Sequence, residues 1–408
     1  MLQTVHRAAK ENRSKLCGKV ALLVSEDWFV LSHFRPLIAV LTELADSLVV
    51  VTRCSGRLGE IEALGARVIN FDFRRSSSNP AREALLVPSL AKILRAENPD
   101  VIHMVAMKPI VLGGFAAKLT PIPHMVVHVT GLGLMGVTRN GLLRLYRDVI
   151  LRHVALMTRR PSSLLFVENS DDLATLHNAH ERHGLRYAVL GGAGIDPEEY
   201  PALSPPRNAV PVAAYVGRLI KSKGVDLLMQ AYDLLRARGQ RLQLGLFGRS
   251  DDGNKEAVGS QTIRAWCAQS GACWHGHVKN IVDVWRHADF LVLPSRGGEG
   301  MPRALLEAAA CARPLVVTDV PGNRQFVRSG IEGLVVPPQD VGALACALER
   351  MATEHKSRER MGAAARMRLL DGYTEAHVKR TYLTGYESML RGEGRVTGGG
   401  LERSLMSI

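Results

Sequence analysis

The chain has 408 residues, 46% hydrophobic and 22% charged. That is ordinary globular usage, which excludes a disordered, collagen-like or disulfide-stapled chain, and at roughly 150 residues per domain it predicts two or three domains. Lys plus Arg number 52 against 39 Asp plus Glu, a formal +13, a balance that attracts nucleic acid, anionic membrane or phosphorylated small molecules unless it only reflects an arginine-rich genome.

The N-terminal stretch Met1–Lys19 lacks the apolar core of a secretion signal. No run approaches about 18 apolar residues, so no membrane-spanning helix is predicted. Six scattered cysteines (Cys17, Cys54, Cys267, Cys273, Cys311 and Cys346) form no C-x-x-C pair. Zinc and redox motifs are therefore not expected, and the reading is a soluble protein of the reducing cytosol.

In chain order, Lys19–Ser25 predicts a strand and Phe34–Leu44 a helix. Ser47–Thr52 and Arg67–Phe71 follow as strands, and Pro80–Glu97 as a helix. Asp100–Val105 is a strand, Ile110–Lys118 a helix, and His124–Val129 a strand. From Arg139 to Arg160 run the basic residues Arg139, Arg144, Arg147, Arg152, Arg159 and Arg160 with one acid, Asp148. Leu143, Tyr146, Ile150, Val154 and Met157 recur there at steps of three and four, one apolar stripe with arginines beside it. Such a helix suits an anionic membrane surface or, equally, core packing with a solvated basic face. Leu164–Val167 is the next strand. Asp196–Pro211, with five prolines, reads as a linker.

The pattern then restarts. Val212–Val216, Gln243–Phe247, Asp289–Leu293, Leu315–Thr318 and Gly333–Val336 are predicted strands. Gly224–Arg236, Thr262–Ser270, Arg303–Cys311 and Val341–Met351 are predicted helices. His355–Leu390 is helical and is expected to cross back to the first half; the tail with Gly392, Gly394 and Gly398–Gly400 is expected to be mobile. Val/Ile/Leu-rich strands alternating with helices predict an α/β chain of two doubly wound parallel-sheet domains. The expected division is residues 1–200, residues 201–375, and a C-terminal helix and tail over 376–408, with the ligand in the cleft at the strand C-terminal ends.

The second half carries the chemistry. After Val212–Val216 come Gly217, Arg218 and then Lys221-Ser222-Lys223-Gly224. A glycine at a strand end lets a ligand approach the backbone. Arg218 and Lys223 are placed to reach one diphosphate, with a helix N-terminus behind them. Neither a P-loop nor a G-x-G-x-x-G after the first strand is present. Further on, Gly297-Gly298-Glu299-Gly300-Met301-Pro302-Arg303 leads into a helix that carries Glu307. Pro302 is expected in its first turn, leaving backbone amides near Met301 for a phosphate. Glu299 and Glu307 are expected to address different hydroxyls of one extended ligand.

G-R-x-x-x-x-K-G (Gly217 to Gly224) together with E-G-x-P-R-x-x-x-E (Glu299 to Glu307) resembles glycosyltransferase family 4, of GT-B fold. Glu26–Pro36, Asn98–Val105, Thr130–Gly133, Gly191–Asp196 and Ala312–Gly322 agree with it and resemble the subgroup that builds bacterial O-antigen, capsule or exopolysaccharide on polyprenyl-diphosphate lipid. The resemblance implies a retaining, metal-independent hexosyltransferase that uses a nucleotide sugar, UDP-linked, as co-substrate and no other cofactor. Arg218 and Lys223 would neutralise the leaving nucleoside diphosphate. Glu307 would take the ribose hydroxyls and Glu299 the transferred sugar. Gly217, His277, Val278, Gly300 and Met301 would complete the donor site, the Gly276–Val278 region flanking the base. It also implies a lipid-linked glycan acceptor, a cytoplasmic protein peripheral to the inner membrane through the Arg139–Arg160 helix, and no nucleic acid.

Many relatives carry a histidine in the loop occupied here by Thr130-Gly131-Leu132-Gly133, which has none. His128 on the preceding strand is the catalytic candidate in its place, and a strand histidine is otherwise a core residue. Glu26, Asp27 and His33 are acceptor-side candidates, and His103 is read as structural. A UDP-sugar 2-epimerase of the same fold is the rival enzyme. A basic nucleic-acid-binding protein is the non-enzymic rival, weakened by 5% aromatics and by the lack of a recognisable binding motif.

Overall fold

The computed structural model describes residues 15–73, 83–132, 141–178, 185–251, 254 and 256–392. Gly133, Arg139, Gly394 and Gly398–Gly400, and the side chains of Leu143, Arg144 and Tyr146, lie outside the described residues.

The first half runs β1 (Cys17–Glu26), α1 (Asp27–His33), α2 (Arg35–Leu44), β2 (Ala45–Arg53), α3 (Leu58–Glu62), β3 (Arg67–Asn70), α4 (Leu86–Glu97), β4 (Val101–Val105), α5 (Met107–Lys118), β5 (His124–Val129), α6 (Gly141–Thr158), β6 (Ser163–Val167), α7 (Ser170–Asn178) and β7 (Tyr187–Val189). The second runs β8 (Val212–Val216), α8 (Val225–Ala237), β9 (Gln243–Phe247), α9 (Ser260–Ser270), β10 (Cys273–Gly276), α10 (Ile281–His287), β11 (Phe290–Leu293), α11 (Arg303–Ala310), β12 (Leu315–Thr318), α12 (Pro321–Phe326), β13 (Gly333–Val336), α13 (Val341–Thr353), α14 (His355–Leu370) and α15 (Glu375–Arg391).

Among the described residues the strands form two sheets, ordered β3-β2-β1-β4-β5-β6-β7 and β10-β9-β8-β11-β12-β13. Every pairing is parallel. Both faces of each sheet are covered, which is why β4 and β6 are buried at every position and read as continuous apolar runs. One face of the first sheet packs on α1 and α2 through Val30, Leu37 and Leu41. α15 joins that face with Val378, Tyr382, Tyr386 and Met389, so the last described helix lies on the first sheet. The other face packs on α4, α5, α6 and α7.

Strand order reverses between β1 and β4 in one sheet and between β8 and β11 in the other. Loops diverge at such switch points and open a crevice beyond the strand C-terminal ends. Gly224 shapes the crevice wall of the second domain. Its φ is +72°, and a Cβ there would run into the Pro294 carbonyl, so the turn after β8 sits directly on the end of β11.

Three expected local features differ. Phe34 separates two helices, so His33 ends α1 instead of beginning the long helix. Arg35-Pro36 restarts the chain, because proline is favoured in a helix's first turn and cannot donate into a preceding one. Pro302 caps α11 from just outside it. The expected helix His355–Leu390 is broken after Leu370, where Ile195 pairs with Thr374 and Thr374 then caps α15.

Candidate active site

The turn after β8 and the loop after β11 meet at the switch point. Lys223 Nζ donates to Glu299 Oε1 and Oε2, each at 2.5 Å. Ser295 Oγ adds a bond of 2.7 Å to Glu299 Oε1, and Ser295 O accepts from Thr318 Oγ1 at 2.6 Å. Arg296 holds the loop down with two 2.7 Å bonds to the Asp226 carboxylate at the start of α8. The backbone follows, Arg296 N donating to Ser222 O at 2.8 Å. Arg218, on the same turn as Lys223, pairs with Asp251 from the loop after β9 at 2.9 Å. Gly217 N donates to Phe247 O at 2.9 Å, and it is Gly248, against the Gly217 carbonyl, that could not carry a side chain. The structure thus puts Gly217, Arg218, Lys223, Glu299 and Gly300 on two adjoining loops.

Glu307 forms a second group just over one turn into α11. Its Oε1 accepts from Arg303 Nε at 2.8 Å and from the Tyr200 hydroxyl at 3.3 Å. Burial, and then the Glu307 carboxylate, push the Tyr200 hydroxyl up to about 12, so it stays a donor. Arg303 Nη1 crosses the domain boundary to the Ser32 carbonyl at 2.7 Å. His277 is exposed after β10, and Val278 packs partly into the second domain's core.

The acceptor-side and catalytic candidates in the first domain fare differently. Glu26 is buried and tied to Arg53 at 2.9 Å. Asp27 accepts from Ser55 N (2.5 Å), Ser55 Oγ (2.6 Å), Trp28 N (2.7 Å) and Arg57 N (3.3 Å). Burial pushes this carboxyl up, but those bonds outweigh it and hold it below the usual carboxylate range. A buried carboxylate with four donors has no oxygen left for an acceptor hydroxyl, so Asp27 ties α1 to the loop after β2. His33 Nδ1 contacts Ser32 Oγ at 2.7 Å, one residue from the carbonyl that Arg303 reaches.

His128 is a correction. Its ring is enclosed by Phe34, His103, Phe166 and Tyr382, with centroids 5.5 to 5.9 Å away. Both ring nitrogens are buried without a hydrogen-bond partner, and burial pushes the imidazole down to about 3. A base sealed from the cleft cannot reach a substrate proton. His103 lies beside it, bonded to the Tyr386 hydroxyl at 2.7 Å.

Sequence reasoning passed over Glu168. It follows β6, is 6% exposed, and accepts from Met301 N at 2.8 Å across the domain boundary. The amide expected to be free for a phosphate is thus taken by a carboxyl group. Burial is the chief cause, with Asp172 and Glu299 adding repulsion, that pushes Glu168 up to about 8. The available signal was Glu168-Asn169 between an apolar strand and an acidic helix start, Ser170-Asp171-Asp172.

Residues 19–159 match the family model described as glycosyl transferase 4-like, and residues 210–354 the model described as glycosyl transferases group 1. A Campylobacter jejuni protein named N,N'-diacetylbacillosaminyl-diphospho-undecaprenol alpha-1,3-N-acetylgalactosaminyltransferase is 25% identical over 373 residues, 88% of this chain and 96% of its own length. The Escherichia coli UDP-Gal:alpha-D-GlcNAc-diphosphoundecaprenol alpha-1,3-galactosyltransferase is 26% identical, over 70% of this chain and 74% of its own. In shape the chain is similar to Anabaena HepE in complex with UDP and glucose (TM-score 0.72, 18% identity, 91% of this chain and 100% of that one). It is likewise similar to the sucrose-phosphate synthase of Thermosynechococcus elongatus (TM-score 0.74, 16% identity, 92% and 99%). With the two sheets and their facing switch points, these matches place the chain among the GT-B glycosyltransferases, a glycosyl transferase 4-like domain followed by a group 1 domain.

Proposed function

We propose that the protein moves a sugar from a UDP-linked donor to a polyprenyl-diphosphate-linked glycan, with retention at the anomeric carbon and without a metal, in surface polysaccharide synthesis. The observation that carries this reading is the Lys223–Glu299 pair at the switch point, with Arg218 on the same turn. Cations fixed beside a diphosphate stabilise the charge that develops as it leaves. Arg303 and Tyr200 occupy Glu307 Oε1 and orient Oε2 toward a ribose hydroxyl. Glu299 faces the transferred sugar. The acceptor oxygen attacks the anomeric carbon on the face from which the diphosphate departs. The bond from that carbon to the phosphate oxygen breaks, and the acceptor proton passes to the departing phosphate. Neither His128 nor Asp27 is needed. The acceptor class rests on the Campylobacter jejuni and Escherichia coli relatives, whose names specify diphospho-undecaprenol substrates.

The outer face of α6 supports action at a membrane. Of its predicted stripe, the described side chains Ile150, Val154 and Met157 turn inward and are buried. A different line faces out, with Leu145 63%, Val149 55% and Leu156 54% exposed, Arg152 and Arg159 within it, and Phe115 and Lys118 of α5 and Leu119 just after it alongside. An exposed apolar line studded with arginine suits the boundary between acyl chains and anionic headgroups. No described helix is long and apolar enough to cross a membrane.

Thermal unfolding against a panel of nucleotide sugars tests the donor assignment. A ligand that binds only the folded state raises Tm; a panel with no shift for any UDP-sugar would overturn it.

A further inference from the structure

Three turns of the first domain close on one short stretch of the second. The Thr130-Gly131 turn after β5 abuts Gly300, and a Cβ on Gly131 would sit 2.7 Å from Gly300 N. The turn after β7 brings Gly192 against Met301, where a Cβ would sit 2.6 Å from the side chain. Between them, the end of β6 supplies the polar contacts. Glu168 Oε2 accepts from Met301 N at 2.8 Å, and Asn169 Nδ2 donates to Gly300 O at 3.0 Å. Asn169 is itself fixed at the start of α7, donating to Asp172 Oδ2 at 2.9 Å and accepting from Asp172 N at 2.8 Å. Gly300 has no room for a side chain, with Glu168 and the Thr130 carbonyl both against it.

We propose that Glu168, with Asn169, is a positioning residue for the donor-sugar loop: from the first domain it holds the Gly300–Met301 backbone in the conformation that presents Glu299 to the sugar. The inference rests on the reading that this loop binds the sugar half of the donor. Sugar recognition then depends on the Glu168 and Asn169 contacts, whereas ribose recognition runs through Glu307, Tyr200, Arg303 and the Arg303–Ser32 link.

The chemistry of the contact gives it a signature. The groups facing Glu168 are Asp172 from α7, Glu299 and the Met301 amide from the loop, Lys223 from the turn after β8, and Tyr382 from α15. Burial keeps the carboxyl protonated at neutral pH, with a value of about 8. In that state it accepts the Met301 amide without placing a second negative charge beside Glu299. Above pH 8 it ionises, and the repulsion works against the loop. Glutamine reproduces the neutral form and its acceptor oxygen; alanine removes the acceptor and leaves the Met301 amide unsatisfied.

The experiment uses the full chain with UDP and with whichever of UDP-glucose, UDP-galactose and their 2-acetamido forms binds wild type most tightly. Hydrogen exchange is followed over residues 298–305. Glu168→Ala is expected to speed exchange in that segment and weaken UDP-sugar affinity about tenfold, while UDP affinity changes less than twofold. Glu168→Gln is expected to restore slow exchange and most of the affinity, and to remove the loss of UDP-sugar affinity that wild type suffers above pH 8. Asn169→Ala gives a second variant with the same expected split, should Glu168→Ala not fold. Unchanged exchange and affinity in the folded variants, equal weakening of UDP and UDP-sugar, or an alkaline loss that persists in Glu168→Gln would each overturn the proposal. A wild type that binds no UDP-sugar would instead overturn the donor reading and with it the sugar role, while the exchange data still decide whether Glu168 holds the loop.

Discussion

Lys223 grips both oxygens of Glu299 at 2.5 Å, joining the turn after β8 to the loop after β11 across the point where strand order reverses. The cation proposed to hold the donor's diphosphate and the carboxylate proposed to hold its sugar therefore order each other before any ligand arrives. Such preorganisation lowers the cost of fixing them at the moment of reaction.

Glu307 is poised differently, with one oxygen engaged by Arg303 and Tyr200. Glu307→Ala removes a charged hydrogen-bond partner, an interaction worth about 1.5–3 kcal/mol, so donor KM is expected to rise about tenfold to a hundredfold. Arg303→Ala, which frees the Glu307 carboxylate and cuts the link to Ser32 O, is expected to raise donor KM as well. Initial-rate kinetics with varied nucleotide sugar check both.

Gly224 at φ +72°, against the Pro294 carbonyl, predicts a stability cost. Gly224→Ala combines left-handed backbone with a backbone clash and is expected to destabilise the second domain by about 2 kcal/mol or more. Gly239, also at positive φ but with open space around it, is expected to lose about 1 kcal/mol on the same substitution. Denaturant unfolding of the two variants compares the costs.

The buried Glu168 carboxyl makes stability depend on pH. Its value is raised from 4.5 to about 8 on folding, so its contribution is fully present below about pH 4.5, is lost as pH rises toward 8, and is flat above that. Glu168→Gln lacks this titration. The stability of wild type relative to the variant is expected to fall across that window, as read from paired unfolding curves at each pH.

His128 sits in a ring cage with both nitrogens unpartnered. His128→Leu is expected to keep kcat within about threefold, since replacing an unsatisfied polar group by an apolar one is nearly neutral. A drop of a hundredfold in correctly folded protein would restore it to the chemistry.

The outward line on α6 predicts reversible vesicle binding. Val149→Asp with Leu156→Asp is expected to abolish co-sedimentation with anionic vesicles and to slow transfer to lipid-linked acceptors, while short soluble acceptors are still used. Exposed apolar positions tolerate the change without unfolding.

The buried strands were the most legible part of the sequence. His124–Val129, Val212–Val216, Gln243–Phe247, Leu315–Thr318 and Gly333–Val336 are strands at the residues their apolar runs predict, because a strand covered on both faces has little choice of residue. The edge strand Cys273–Gly276 was not legible, since no residue in it is fully buried. The short strand Tyr187–Val189 on the other sheet's edge escaped for a related reason, with only Ala188 buried. Helix α6 misled in detail: periodicity found its inward stripe, but nothing local says which of two apolar lines a neighbour will cover. The two loops that pair at the switch point were legible because Lys223 and Glu299 each follow a strand end. Glu168 was not, because its importance lies in a contact 133 residues away that only the docking of the two domains creates. The family match supports glycosyl transfer over the epimerase reading that the motifs alone left open.

The most direct test is transfer of a radiolabelled sugar from UDP-sugar to a polyprenyl-diphosphate-linked acceptor by wild type and Lys223→Ala, under single-turnover conditions. If Lys223 stabilises the departing diphosphate, the variant folds normally and transfers at least 10²–10³-fold more slowly, and the wild-type product keeps the donor's anomeric configuration. A folded Lys223→Ala that transfers at the wild-type rate would contradict the role given to the switch-point pair.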